Sequence, residues 1–258
     1  MTSADYIILG GTGLVGSGIR EYLEQSGKSV LSVHSKNYEE SIGAKAKILI
    51  NCNGNSFRYR ANQDPVWDFS ASVVSVEKSL FDFEFELYVY ISTVDVYNII
   101  ADPSHNHEET PIDPSVLMPY SFHKWLAERI VERYADRSII LRLGTVLGSR
   151  LKKNPVYDLL NGRPLFMSLE SQLNFIDTQT ISECIRVIVE LGIERGIFNV
   201  AGTGSATLRG IALKVGIQPS LAANADKTIY RYHINNQKMS HWVQLPTSME
   251  VVDRYLTL

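Results

Sequence analysis

A glycine-rich turn between an apolar strand candidate and a helix candidate constrains this chain more than any other feature. Tyr6-Ile7-Ile8-Leu9 is continuously apolar, as a strand covered on both faces must be. Gly10-Gly11-Thr12-Gly13-Leu14-Val15-Gly16 comes next, and Leu14 to Gln25 has helical periodicity. Glycines at such a turn let the backbone come close to a diphosphate, and the free N–H groups opening the helix hold the anion. The spacing is Gly10-x-x-Gly13-x-x-Gly16 rather than G-x-G-x-x-G. Glycine-rich turns are common, so this one gains meaning only from the residues downstream of it.

Strand candidates recur at Tyr6–Leu9, Ser29–His34, Lys47–Asn51, Leu87–Ser92 and Ser138–Leu143. Helical patterns cover Leu14–Gln25, Val66–Leu80 and Tyr120–Tyr134. Apolar strands alternating with helices predict an α/β fold with a parallel sheet buried on both faces. A doubly wound sheet of the Rossmann type needs a helix and an edge strand after its second strand, a unit of about 30 residues. Only about a dozen residues lie between Ser35 and Lys47, and one short helix over Glu39–Ala44 uses them up. The third strand is therefore expected to be lost or vestigial.

Beyond residue 148 the pattern loosens. Pro155–Leu160 reads as a short helix, Leu173–Ile176 as a short strand, Thr180–Leu191 as an amphipathic helix and Ile197–Val200 as a strand at the far sheet edge. Two units are expected: a dinucleotide-binding Rossmann domain over 1–148, and a mixed segment over 149–258 with returning sheet elements.

A second signal lies in Tyr120-Ser121-Phe122-His123-Lys124, a Y-x-x-x-K pair opening a helix. Residues four apart share one helix face, so phenol and ammonium can face the same cleft. A lone pair of this kind also fits a solvated helix face. Here it comes after both the glycine turn and a strand ending in Ser92-Thr93. In that order the residues resemble the extended short-chain dehydrogenase/reductase family, the NAD(P)-dependent epimerases, dehydratases and reductases of nucleotide sugars. Ser92-Thr93-Val94-Asp95-Val96-Tyr97, Leu141 to Gly148, Asn174-Phe175-Ile176-Asp177 and Phe198-Asn199-Val200-Ala201-Gly202 extend the resemblance over most of the chain.

The resemblance implies a small C-terminal substrate-binding lobe within 149–258, and it implies roles. Thr93 would hydrogen-bond the sugar oxygen undergoing redox, Tyr120 would move the proton, and Lys124 would assist it and bind the nicotinamide ribose. Gly10, Thr12, Gly13, Leu14, Val15 and Gly16 would hold the cofactor diphosphate, with His34, Ser35 and Lys36 beside the adenosine ribose. An ordinary tyrosine ionises near pH 10; the Lys124 ammonium and the nicotinium charge are expected to lower that value. No carboxylate occurs from Ser32 to Lys36 to bind a ribose hydroxyl, and Ser35 and Lys36 suit a 2′-phosphate. NADP(H) is the favoured cofactor, with NAD(H) as the alternative.

The family's dehydratases carry Asp-Glu where this chain has Val94-Asp95. Valine cannot donate a proton, which disfavours dehydration and leaves Asp95 as a residual polar contact, a substrate ligand or a structural cap. Thr145 stands where the family often has a substrate-contacting Asn. Arg231 and Arg209 are candidates for a substrate diphosphate, though each equally suits a surface or structural role. The favoured activity is reduction of a 4-keto nucleotide sugar. An epimerase of the same substrates and a non-catalytic dinucleotide-sensing regulator are the alternatives. A homodimer through Val66–Leu80 and Tyr120–Tyr134 is a further implication of the resemblance.

Composition limits the remaining options. The chain has 258 residues, 45% hydrophobic and 21% charged, ordinary for a large globular core. A formal net charge of −3 with no basic block gives no basis for nucleic-acid binding. No signal-peptide pattern and no run of membrane-spanning length are apparent, so a cytoplasmic protein without a membrane partner is expected. Cys52 and Cys184 read as reduced thiols. His105, His107, Glu108 and Glu109 fall in a polar, proline-bearing stretch expected to be an exposed loop rather than a metal site.

Overall fold

The computed structural model describes residues 3–258. The elements, in chain order, are β1 (Ser3–Leu9), α1 (Leu14–Gln25), β2 (Val30–Val33), α2 (Tyr38–Ser41), β3 (Lys45–Asn51), α3 (Arg58–Gln63), α4 (Pro65–Phe69) and α5 (Ser75–Asp82). Then come β4 (Glu84–Thr93), α6 (Pro119–Tyr134), β5 (Ser138–Leu143), β6 (Thr145–Leu147), α7 (Pro155–Leu160), β7 (Gln172–Leu173) and β8 (Phe175–Asp177). Last are α8 (Thr178–Glu190), β9 (Arg195–Val200), β10 (Ala206–Thr207), α9 (Leu208–Val215), α10 (Gln237–Ser240) and α11 (Ser248–Leu256).

Six strands form one parallel sheet in the order β2-β1-β3-β4-β5-β9. Successive side chains leave a strand on opposite faces, and β1 shows it. Tyr6 and Ile8 join a core with Ile19 and Leu23 of α1 and Ile181, Cys184, Ile185 and Ile188 of α8. Ile7 and Leu9 join another with Val76 and Leu80 of α5 and Ala127 and Val131 of α6. Both faces are covered, which is why these strands read as apolar runs rather than as alternating ones.

As the short spacing after Ser35 predicts, β2 has only β1 as a neighbour and forms the sheet edge. In place of a third strand, Asn37–Ala44 forms a plug. The Tyr38 hydroxyl donates to Asp82 (2.8 Å), and the Gly43 N–H donates to the Asp82 carbonyl (2.7 Å).

Two elements differ from the sequence reading. The stretch expected to be one helix over Val66–Leu80 runs from Pro65 to Asp82 and contains a π-helical turn at Ser70–Val74. Asp68, Ser72, Val76 and Leu80 all lie on its buried side. The strand expected over Leu173–Ile176 is split by Asn174. Leu173 pairs with β10, and Phe175 with β6. The buried Asn174 amide donates to the Gly202 (3.0 Å) and Gly204 carbonyls, so its backbone serves a junction rather than a continuous ladder.

A second core, including Leu147, Val156, Leu173, Phe175, Leu208, Ile211, Tyr232 and Val251, defines the C-terminal lobe. Nor is the loop at 102–110 simply exposed. Glu108 is buried and accepts the Asn199 N–H at 2.8 Å, a donor on the sheet's far edge that has no further strand to pair with. His105, His107 and Glu109 do face solvent. Among the described residues no cluster suited to a metal ion occurs, and no helix is long and apolar enough to cross a membrane.

Candidate active site

The site lies where a doubly wound sheet places ligands, beyond the carboxyl ends of its strands. Its first wall is the turn after β1. Gly10 has φ +74°, in the left-handed region that favours glycine. A Cβ on Gly16 would lie 2.3 Å from the Gly10 carbonyl oxygen, and one on Gly11 would lie 2.3 Å from Ser32 Oγ. Gly13 opens α1 with no side-chain cap and no acidic residue in the first turn, leaving N–H groups free for an anion. Thr12 is exposed, while Leu14 and Val15 are half-buried and contribute backbone. This cradle fits a dinucleotide diphosphate. At the end of β2, the His34 N–H donates to Asn37 Oδ1 (2.7 Å), and the side chains of Ser35 and Lys36 stay exposed.

The opposite wall is made by β4 and α6. Asn51 at the end of β3 pairs with Tyr90, and β4 continues past it through Ile91, Ser92 and Thr93. Thr93 is thereby lifted to the mouth of the cleft, where its hydroxyl accepts the Asp95 N–H at 3.2 Å. Pro119 starts α6, so Tyr120 stands at its first turn. Burial holds the Tyr120 phenol above its ordinary pKa of 10.0. Asp95 pushes the same way, while Arg58 and the Thr93 hydroxyl oppose them.

Lys124, expected to lower the Tyr120 pKa together with the nicotinium charge, is not among the groups that act most strongly on the phenol here. Lys124 is buried, and its Nζ donates to the Ile91 carbonyl at 3.0 Å over the Tyr90 ring. Burial brings Lys124 itself down to about 8. Among cations, Arg58 of α3 acts most strongly on the phenol.

Two buried networks fix α6. The Glu128 carboxylate accepts Arg142 Nε (3.0 Å), Arg142 Nη2 (2.7 Å) and the Ser92 hydroxyl (2.5 Å), tying α6 to β4 and β5. His123 Nδ1 lies 2.6 Å from Asp68 Oδ2, and Asp68 Oδ1 accepts Asn55 Nδ2 at 2.9 Å. This second network holds the loop after β3 against α6. A Cβ on Gly54 in that loop would stand 3.4 Å from Lys124 Nζ.

The residues singled out for substrate are less convergent. Thr145 is half-buried in β6, with its N–H bonded to the Asn174 carbonyl (2.8 Å). Arg209 pairs with Glu170 on the surface. Arg231 is exposed, whereas the next residue, Tyr232, is buried and hydrogen-bonds Asp95 (2.8 Å). Neighbouring side chains of an extended segment point to opposite sides, so it is Tyr232 that the lobe contributes here.

Sequence reasoning missed Arg58, Tyr232 and Lys153. Lys153 reaches from the loop after β6 to donate to the Ser56 carbonyl (2.5 Å), and burial lowers its ammonium to about 7. None of the three lies in a motif or a periodic pattern. Cys52 and Cys184 are free thiols, and burial pushes both up to about 12.

A family model described as the NAD dependent epimerase/dehydratase family matches residues 47–201. The match begins after the shortened stretch that lacks a third strand. No curated protein sequence matches the chain. Among solved structures, a UDP-glucuronic acid 4-epimerase from Bacillus cereus, in complex with UDP-glucuronic acid and NAD, is similar with a TM-score of 0.76. Identity is 16%, over 97% of each chain. RMD from Pseudomonas aeruginosa, complexed with NADPH, has a TM-score of 0.74 and 15% identity over 98% of each chain. A dTDP-4-dehydrorhamnose reductase from Clostridium acetobutylicum has a TM-score of 0.76 and 15% identity, again over 98% of each chain. At these identities the likeness is one of fold.

Proposed function

We propose, from the premise that this chain belongs to the NAD dependent epimerase/dehydratase family, that it is an NADP(H)-dependent reductase of a 4-keto nucleotide sugar. The observation that supports this reading is the placement of Thr93 at the end of β4 and Tyr120 on the first turn of α6, with Val94 where an eliminating acid would stand. Burial and Asp95 hold the Tyr120 phenol protonated, as a donor to a keto oxygen must be.

The Gly10–Gly16 turn would hold the diphosphate, and the bound nicotinamide supplies the hydride. Thr93 would orient the keto oxygen by hydrogen bonding, and Tyr120 would donate its proton to that oxygen. Lys124, close against the loop after β3, would position the nicotinamide ribose. Val94 offers no acid for water elimination. The preference for NADP(H) is supported by the absence of a carboxylate from Ser32 to Lys36 and by the exposed Ser35 and Lys36. Exposed Val66, Phe69, Val74 and Phe81 on the run from α4 to α5 support a homodimer through these helices and α6.

The test is turnover of purified protein with NADPH and a dTDP- or UDP-linked 4-keto hexose, followed by absorbance and product analysis. Stoichiometric loss of NADPH with formation of the hydroxy sugar is expected. Sugar interconversion without net cofactor loss would assign an epimerase. Cofactor binding with no turnover of either substrate class would favour a sensor.

A further inference from the structure

The outer edge of β2 has no strand beside it, yet its last polar groups are paired. Along a strand, successive residues turn their N–H and C=O groups to opposite neighbours. The Val33 carbonyl turns inward and accepts the Gly10 N–H at 2.8 Å, so Ser32 and His34 turn theirs to the open side. Asn37 meets them there. Its Oδ1 accepts the His34 N–H at 2.7 Å, its Nδ2 donates to the Ser32 carbonyl at 3.0 Å, and its backbone N–H donates to the His34 carbonyl at 3.1 Å. In a parallel pair, a residue opposite Val33 would bond the Ser32 carbonyl and the His34 N–H with its own peptide groups. The carboxamide of one side chain therefore stands in for the missing third strand at this point.

This pairing fixes the turn that ends β2. Both ends of His34–Asn37 are tied together, and within the turn the Lys36 N–H donates to His34 Nδ1 at 3.3 Å. Ser35 and Lys36 stand exposed at its tip. Asn37 is held from behind by the plug. Its carbonyl accepts the Ser41 hydroxyl at 2.7 Å, and the next residue, Tyr38, is bonded to Asp82 at the end of α5. On the inner side, the Ser32 hydroxyl stands against Gly11, shielded from solvent and without a hydrogen-bond partner. The residue whose carbonyl Asn37 binds thus abuts the glycine turn. The tip of the β2 turn and the diphosphate cradle are held at one separation, as two contact points for one ligand must be.

We propose that Asn37 is a positioning residue for the adenosine end of the dinucleotide: by pairing the free edge of β2, it holds Ser35 and Lys36 where they contact the 2′-phosphate of NADP(H). Discrimination between the two cofactors then depends on a side chain that touches neither. The assignment rests on the reading that Ser35 and Lys36 hold that phosphate.

The experiment measures binding of 2′,5′-ADP and 5′-AMP, which differ by the 2′-phosphate alone, by titration calorimetry. The unmodified protein should favour 2′,5′-ADP. Asn37→Ala should cut that preference by about fivefold, the scale of one exposed charge contact, and leave 5′-AMP affinity unchanged. The His34 amide, its acceptor gone, should exchange with deuterium faster. Asn37→Ser can still accept the His34 N–H more weakly; it should cut the preference by less, and it serves if Asn37→Ala does not fold. Ser41→Ala is the control, since it removes a bond to the Asn37 carbonyl but none to β2. An unchanged preference in the Asn37 variants, an equal loss for both nucleotides, or the same cut in Ser41→Ala overturns the proposal. Lys36→Ala separates this outcome from the cofactor reading. If Lys36→Ala lowers the preference and Asn37→Ala does not, the role of Asn37 alone fails. If the unmodified protein shows no preference, the NADP(H) reading fails and the role of Asn37 with it.

Discussion

The two ends of the cleft are built by different means. The glycine turn is made of backbone, and seven consecutive residues supply it through φ angles and close approaches of main-chain atoms. The end around Tyr120 is made of side chains from α3, β4, α6 and the lobe. A backbone site is a local property of sequence and tolerates almost no added atom. A side-chain site is a tertiary property and can lose one hydroxyl without losing its shape.

Tyr120→Phe tests the contrast most severely. Turnover should fall by about 10³-fold, in the range of a lost general acid, with dinucleotide affinity unchanged by titration. A parallel loss of affinity would mean that the two ends are not separable. Gly16→Ala is the converse. Its Cβ would meet the Gly10 carbonyl, so dinucleotide affinity should drop by about 100-fold, or ~2.7 kcal/mol, although only one methyl is added. Binding at full strength would show that the turn can shift, and the distinction would fail.

Lys124→Met sharpens the comparison through pH. The folded ammonium titrates near 8 against an ordinary value of 10.5, because burial disfavours its charge. Below pH 8 that cost is present in full, and it is relieved as pH rises from 8 to 10.5, where the unfolded chain still holds the proton. Lys124→Met should therefore stabilise the cofactor-free protein by ~2 kcal/mol at pH 7. The gain should shrink toward pH 10, as read by urea unfolding, while cofactor affinity falls. A loss of stability at pH 7 would show that the bond to the Ile91 carbonyl outweighs the buried charge. The smallest effect expected is in Lys36→Ala. Its exposed side chain should contribute ~1 kcal/mol to NADPH affinity and nothing to NADH affinity. Equal affinities for both cofactors in the unmodified protein would remove the assigned preference.

Legibility in the sequence divides along the same line. The bounds of α1 and β5, the alternation of strand and helix, and the missing third strand are set by apolar runs and by chain length, which act locally. Motif order singles out Thr93, Tyr120 and Lys124, and the structure sets Thr93 at the end of β4 and Tyr120 and Lys124 on α6. Arg58 was not visible, because Asn55-Ser56-Phe57-Arg58-Tyr59-Arg60 holds two arginines and no period or spacing to mark either of them. The hydrogen-bond partner of Arg58, Tyr232, lies 174 residues away. The adjacent Arg231 drew notice for its chemistry, yet strand alternation turns it outward. The direction in which Lys124 points was equally hidden, since helix spacing fixes a face but not the carbonyl an ammonium will choose.

The wide turn at Ser70–Val74 makes its part of the chain a counted spacer. Asp68, Ser72, Val76 and Leu80 are buried at intervals of four residues, but a regular α-helix drifts by ~40° over each such interval. The π turn takes up part of that drift, so one helical run can serve two ends. Asp68 faces His123 beside the cleft, and Leu80 faces the sheet. Deleting one residue there would let the helix close to a regular pitch and rotate one end against the other, parting either Asp68 from His123 or Leu80 from its core. At Gly162, by contrast, a new side chain would meet nothing within 4 Å, and only the φ of +64° favours glycine there. Around Gly162 the constraint is one residue's backbone angle, while between Asp68 and Leu80 the number of residues matters as much as their identity.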